Sequence, residues 1–191
     1  MNQEEILRIM KDSGALLEGH FELRSKLHSD RFFQCANVLR YPRRAQALCE
    51  ELAGRMRIRL GQDGFADTDI SPAMGGLAVG HEIARALDLG AIFAEKQDGK
   101  LVMRRFTLRR GERFIVAEDV VTRGGRVQET IDIVEGAGGI VVAVALLVDR
   151  SAGAVSFKYP TFSLLQLAPV TYEPANCPLC KKGIPMVHPG S

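Results

Sequence analysis

Glu118 and Asp119 are the residues of this 191-residue chain that most need a chemical explanation. They interrupt the apolar, β-branched run Phe114-Ile115-Val116-Ala117, which has the pattern of a buried strand. Two adjacent acids at the end of such a strand repel one another if buried, so a cation or hydrogen-bond donors must answer them. Thr122-Arg123-Gly124-Gly125-Arg126 follows at once, and Val127 opens a helical pattern. In α/β sheets ligands collect beyond the carboxyl ends of strands, where glycines let the amides of the next helix close around an anion. Acids for hydroxyls beside amides for a phosphate suit a sugar phosphate. A solvent-facing cap pair is the plain alternative for the acids alone, and the glycine loop weighs against it.

Other residues could act beside them. Ser71-Pro72-Ala73-Met74-Gly75-Gly76 is a strand end leading into a small-residue loop, open to close approach by an anion or simply a strand-to-helix turn. Asp149-Arg150-Ser151 follows the long apolar run Ile140 to Val148; Arg150 could fork onto a carboxylate or pair with a neighbouring acid. Lys96 and Lys100 flank a polar stretch and read by default as solvated lysines. Arg104 and Arg105 on one strand would point to opposite faces. Cys177-Pro178-Leu179-Cys180 has the spacing of half a structural zinc site, with His188 beyond it. A closed site needs four ligands. With no second close pair, Cys35, Cys49 or a partner chain would have to complete it, so reduced thiols and no protein-held metal are expected.

The elements that must position these residues can be read in order. Glu4 to Met10 is a short amphipathic helix, and Phe21 and Leu23 mark an alternating strand. Lys26 to Arg31 reads as a polar turn, and Phe32 to Ala36 as a second strand. Pro42 suits the first turn of a helix over 43–59. Strands then follow at 69–71, 90–95, 101–106, 113–119, 140–148 and 162–167, with helices to about Leu87 and Glu135 between them. Alternating strands and helices imply right-handed crossovers and a mainly parallel sheet flanked by helices. The run 140–148 is apolar on both faces, as a central parallel strand should be. The loops at 71–76, 118–126 and 149–150 would then converge.

Composition bounds the function. At 46% hydrophobic and 25% charged residues the chain reads as a soluble globular domain. A net charge of +2 argues against nucleic acid or an anionic membrane as partner. Its acidic start lacks the layout of a secretory signal, and its longest apolar run is too short to span a bilayer. Four cysteines without an export signal suggest the reducing cytoplasm.

Val116 to Gly125 resembles the phosphoribosyl pyrophosphate (PRPP) signature of type I phosphoribosyltransferases: apolar residues, two acids, two apolar residues, Thr, any residue, Gly. Phe21 to Phe33 resembles the N-terminal segment of the orotate phosphoribosyltransferase family, with Lys26 where Gly is usual, and Asp149-Arg150-Ser151 also matches. The resemblance implies a single type I phosphoribosyltransferase-like α/β domain, with a small hood from about 1–40 and 160–191. It implies that PRPP and orotate become orotidine 5′-monophosphate and pyrophosphate, with Mg²⁺ as cofactor and a homodimer as assembly. Glu118 and Asp119 would hold the ribose hydroxyls. Val120, Val121, Thr122, Arg123, Gly124, Gly125 and Arg126 would wrap the 5′-phosphate, and Arg24 would reach PRPP. Ala73, Met74, Gly75 and Gly76 would form the pyrophosphate loop. Thr122, Arg150, Phe32 and Phe33 would meet orotate, and Lys96 and Lys100 would clamp the departing pyrophosphate. The lysine loop departs from the family's denser basic stretch: it has no His, and Glu95 precedes Lys96. Transfer to a purine or other base, or PRPP sensing without catalysis, are the other readings. The first should lack the 21–33 and Arg150 matches, and the second usually adds a DNA-binding module.

Overall fold

Alternation of side chains along Arg113–Val121 (β6, labels in chain order) explains the architecture best. Phe114 and Val116 join Ile70, Val144 and Leu146 in a buried cluster, closed from one side by Val127, Ile131 and Val134 of a helix over Gly125–Gly136 (α5). The computed structural model describes residues 1–23, 25–61, 64–168 and 170–189.

Two compact units result, residues 41–167 and residues 1–40 with 168–191. In the first, a six-stranded sheet has the order β5-β4-β3-β6-β7-β8, built from Thr68–Pro72 (β3), Gly90–Gln97 (β4), Lys100–Val102 (β5), β6, Ile140–Asp149 (β7) and Thr161–Gln166 (β8). All pairings are parallel except the edge hairpin β4–β5. Helices over Pro42–Leu60 (α3) and Gly75–Leu87 (α4) also pack on the sheet. Pro42 sits in the first turn of α3, as expected. The chain runs from β3 outward to β4 and returns to the other side of β3 as β6. The strand order therefore reverses between β3 and β6, which is where an open α/β sheet leaves a crevice.

The terminal unit holds a helix over Gln3–Asp12 (α1), the strands Leu16–Glu22 (β1) and His28–Phe33 (β2), a short helix over Ala36–Leu39 (α2), and the strand Thr171–Tyr172 (β9). Its sheet is antiparallel, in the order β1-β2-β9. Two sequence expectations are corrected here. The stretch 28–31 is strand and not turn, because the polar side chains that disguised it are bonded: Ser29 is buried and donates to the Val170 carbonyl at 2.9 Å. Residues 36–39 are helix, entered through Cys35. Residues 161–166 pair with β7, and the tail of the terminal unit starts at 168. Lys26, standing where the family has glycine, adopts the left-handed φ of +67° that glycine would take. No helix among the described residues is long and apolar enough to cross a membrane.

Behind the crevice, Asp69 on β3 is fully buried with Ser71 Oγ donating to it at 2.9 Å, and burial pushes its carboxyl up to about 7. In the unfolded chain it titrates near ~3.9. The folded state therefore holds the proton more tightly, and Asp69's contribution is full below about pH 4 and lost as pH rises towards 7. Asp69→Asn should flatten that part of the stability curve and make the protein more stable than wild type at pH 8, by about 2 kcal/mol. Urea unfolding at pH 5 and pH 8 checks this: an unchanged pH slope would mean the carboxyl is not buried as described.

Candidate active site

Glu118 and Asp119 lie within the last four residues of β6, one step earlier than a strand end, and both carboxylates reach the start of α4. A Cβ on Gly75 would stand 2.9 Å from Asp119 Oδ1, and one on Gly76 would stand 3.0 Å from Glu118 Oε1 and 2.9 Å from the Ala117 carbonyl oxygen. The two glycines are what let the loop after β3 close on the acids. Glu118 Oε1 accepts from the Asp119 amide at 3.1 Å. Burial first, and the neighbouring charge of Asp119 second, push the Glu118 carboxyl well above the usual range; burial raises Asp119 as well. The pair holds a proton more tightly than exposed acids do, and asks for donors or a cation. Its oxygens suit a hard cation such as Mg²⁺, which takes one or two carboxylates together with phosphate oxygens.

Around the acids opens a cleft of about 610 Å³, of a size that takes a small ligand. Two helices begin at it. Neither α4, preceded by Met74, nor α5, preceded by Gly124, has a side-chain cap or an acid in its first turn. Their first amides and the positive ends of their dipoles are thus free to serve an anion. Gly124 stands at φ +73°, and a Cβ there would come within 2.7 Å of Val155 Cγ1, so side chains are excluded on two counts. Buried Gly124 sends the chain around a tight turn, while Thr122 and Arg123 stay exposed at the rim.

Of the residues singled out from the sequence, the cleft is lined by Ala73, Gly75 and the continuous stretch Glu118 to Arg126. Gly76 touches Glu118 from just behind the lining, and exposed Met74 follows the cis Ala73–Met74 peptide. Arg150 stands one residue beyond β7; its backbone N–H donates to the Val121 carbonyl at 2.8 Å, which holds it beside the start of the Thr122 loop. Phe32 and Phe33 belong to the terminal unit, where Phe33 is buried and Phe32 packs 5.9 Å from Phe21, centroid to centroid. Arg24 lies outside the described residues.

The lysines are not on a loop. Lys96 ends towards the tip of β4 and Lys100 begins β5, with Lys96 opposite Leu101 and Gln97 opposite Lys100. Both are exposed. The tight turn Asp98-Gly99 joins the strands, with both residues at positive φ, and Gly99 reaches the cleft lining. Glu95, the departure from the family pattern, is occupied with Arg105 through bonds of 3.0 and 3.2 Å. Arg104 and Arg105 lie past the end of β5, so the expected strand alternation does not apply to them.

Pro72 belongs to the loop the sequence singled out, whereas Gly99, Val127 and Glu129 of the lining were given no role there. Glu129 matters most: Oε1 accepts from the Leu101 amide at 2.5 Å while Oε2 pairs with Arg126 at 2.9 Å. It thereby fastens the lysine-bearing hairpin to α5, the helix that begins at Gly125. Its position one turn after Arg126 was the only signal available, and an i,i+3 pair on a helix is too common to point to a site.

Comparison with known proteins agrees with this geometry. Residues 45–175 match the phosphoribosyl transferase domain family. The chain is 48% identical to the orotate phosphoribosyltransferase of Desulforamulus reducens over all of its own length and 98% of the relative's. It is equally similar to that of Heliobacterium modesticaldum, with all of this chain and 99% of the relative covered. Among solved structures, orotate phosphoribosyltransferase from Aeropyrum pernix superposes with a TM-score of 0.66 at 23% identity, covering 85% of this chain and 93% of that one. Adenine phosphoribosyltransferase from Thermoanaerobacter pseudethanolicus gives 0.61 at 19% identity, over 72% and 88%. The fold is thus shared across acceptor bases, and only the sequence relatives choose between them.

Proposed function

The chain belongs to the phosphoribosyl transferase domain family, and from that premise we infer how its cleft performs the family's reaction. It transfers the ribose 5-phosphate group of PRPP to orotate, giving orotidine 5′-monophosphate and pyrophosphate, a step in pyrimidine (UMP) synthesis. The observation that carries the residue assignments is buried Glu118 with half-buried Asp119 between two uncapped helix starts on one cleft. PRPP has matching parts: two ribose hydroxyls between a 5′-phosphate and a pyrophosphate.

In this reading Glu118 and Asp119 accept hydrogen bonds from the ribose hydroxyls. The amides from Thr122 to Arg126, at the start of α5, enclose the 5′-phosphate, and Ala73 to Gly76, at the start of α4, face the pyrophosphate. Breaking the C1–pyrophosphate bond builds positive charge on the sugar and negative charge on the leaving group. The enzyme's work is to hold the sugar in reach of the base and to stabilise charge as it develops. Lys96 and Lys100 sit on a hairpin whose tip reaches the cleft, which suits them to meet the departing pyrophosphate. Glu118 and Asp119 are the residues that would hold Mg²⁺ beside the substrate, where it would supply further neutralisation of the leaving group. Orotate is already an anion and attacks through a ring nitrogen. Arg150 and Thr122, adjacent through the Val121 bond, are the proposed contacts for its carboxylate and ring, with Phe32, Phe33 and Arg24 retained from the family resemblance. That resemblance also supports a homodimer and a cytoplasmic location.

Purified protein with PRPP and Mg²⁺ should release pyrophosphate with orotate and not with uracil, hypoxanthine or adenine. Turnover of a purine in place of orotate would overturn the acceptor. Thr122→Ala and Arg150→Ala should each lower kcat/KM for orotate by about 10- to 100-fold, the cost of losing one charge-assisted or well-aligned hydrogen bond. Wild-type kinetics from both would remove those two assignments and leave the PRPP site standing.

A further inference from the structure

We propose that the terminal unit carries a structural zinc site formed by His20, His28, Cys177 and Cys180. Their ligand atoms all lie within 4.8 Å of one another. His20 Nε2 is 2.9 Å from His28 Nδ1 and 3.7 Å from both Cys177 Sγ and Cys180 Sγ, and Cys180 Sγ is 3.3 Å from His28 Nδ1. Tetrahedral zinc, with bonds of about 2.0–2.1 Å to nitrogen and about 2.3 Å to sulfur, requires edges of roughly 3.3 to 3.8 Å between its ligands. The four separations just given lie within roughly half an ångström of those edges, and the remaining two, no longer than 4.8 Å, close with side-chain shifts of about an ångström or less.

Hydrogen bonding alone does not account for the cluster. His20 Nδ1 lies 2.8 Å from the Ile184 carbonyl oxygen, which can only accept, so Nδ1 carries the proton. With Nδ1 so engaged, Nε2 has at most one lone pair for three neighbours, and a single lone pair serves one of them. Convergence of three groups on one nitrogen's lone pair is what a shared ion produces. The carbonyl bond is also the outer support that metal-bound histidines ordinarily have. Two thiolates would cancel the charge of Zn²⁺, which suits a site whose His20, His28 and Cys177 are buried. An N₂S₂ set of this shape selects zinc over the harder divalent ions.

The fold assembles these ligands for visible reasons. A register irregularity between Glu18 and Phe21 turns two successive residues, His20 and Phe21, inward, where a straight strand would bury only one. His28 opens the neighbouring strand. Pro178 starts the four-residue helix Pro178–Lys181 (α6), which presents Cys177 and Cys180 to the pair. These partners replace His188, Cys35 and Cys49, which the spacing of the tail had suggested. His188 lies 3.8 Å from Glu22, Cys35 enters α2, and Cys49 is in α3, its thiol pushed up to about 12 by burial.

The site also answers what secures the tail. Cys177 is the one buried residue among those described between 168 and 189. Among the described residues the segment is held to β1 and β2 by the short β9, by backbone bonds joining Val187 to His20 and Glu22, and by single polar contacts such as Ser29 to the Val170 carbonyl and His20 to the Ile184 carbonyl. A segment with so little apolar burial gains from a metal staple. Zinc would join the two chain ends of this unit, displacing one proton from each thiol as it binds.

The test uses full-length protein and does not depend on catalysis. Protein purified without chelator should contain about one zinc per chain by elemental analysis. Exchange into Co²⁺ should give the visible bands of a tetrahedral ion and a thiolate charge-transfer band. Cys177→Ser and His20→Ala should lose the metal, whereas His188→Ala and Cys35→Ser should keep it. If the first two fail to fold, mercurial titration of the wild-type thiols should release zinc as Cys177 and Cys180 react. Absence of zinc both as purified and after reduction and reconstitution would overturn the proposal. So would a Cys177–Cys180 disulfide that persists in protein purified under reducing conditions.

Discussion

Glu118→Gln and Asp119→Asn should each lower kcat/KM for PRPP by about 10- to 100-fold, the cost of exchanging a charged for a neutral acceptor, while making the folded protein more stable. The two effects share one cause. Burial raises both carboxyls, and the charge of Asp119 raises Glu118 further, so ionising them costs the empty fold. In the unfolded chain both titrate near ~4. Their contribution to stability is therefore complete below about pH 4 and is lost as pH rises through the folded values. The gain in the amide variants should grow with pH; for Glu118→Gln it should reach about 1 kcal/mol or more at pH 8, since a tenfold change in proton affinity is worth about 1.4 kcal/mol. Urea unfolding at pH 5 and 8 beside steady-state kinetics separates the possibilities. Activity and stability falling together would make the pair a structural feature and remove its role in holding ribose.

Gly80→Ala carries the largest expected stability cost. In the middle of α4, alanine is intrinsically worth up to ~1 kcal/mol over glycine. Here the added Cβ would lie 1.9 Å from Ser71 Oγ, 2.2 Å from Asp69 Oδ1 and 3.1 Å from Ser71 Cβ. The first two are side-chain atoms, but both are buried and bonded to each other, so neither can swing away cheaply. Overpacking of this kind costs about 1–3 kcal/mol, and more where the backbone must move. A net loss of about 2–3 kcal/mol is expected. Because α4 begins at Gly75-Gly76, any retreat of the helix from β3 should also raise KM for PRPP. Gly54→Ala in α3 is the control: a Cβ there meets nothing within 4 Å, so it should be neutral or stabilising by up to ~1 kcal/mol. Equal melting temperatures for the two variants would show that the close approach of α4 to β3 is not real.

Particular elements show why some of this was legible in the chain and some was not. The run 140–148 and the stretch 113–126 were readable because burial on both faces and the change from strand to glycine turn to helix are local patterns. The stretch 28–31 was not, since its polar residues become strand residues only when the Val170 carbonyl and β1 arrive from elsewhere in the sequence. Glu129 likewise gains its role only when β5 folds over α5. Gly80 looked like any small helical residue until β3 came against it.

By itself the sequence determined the strand that ends in two acids and a glycine turn, the parallel α/β class and, through resemblance, orotate as acceptor. Each depends on residues close together in the chain, where backbone geometry and periodicity leave few choices. Tertiary structure alone decided which side chains share a cleft: the reversal of strand order between β3 and β6 opens it, and two distant glycines let α4 close on the acid pair. It alone brought His20 and His28 to Cys177 and Cys180, across more than a hundred residues. Spacing along a chain can show half of such a site, but coordination needs four atoms around one point, and only folding supplies the point.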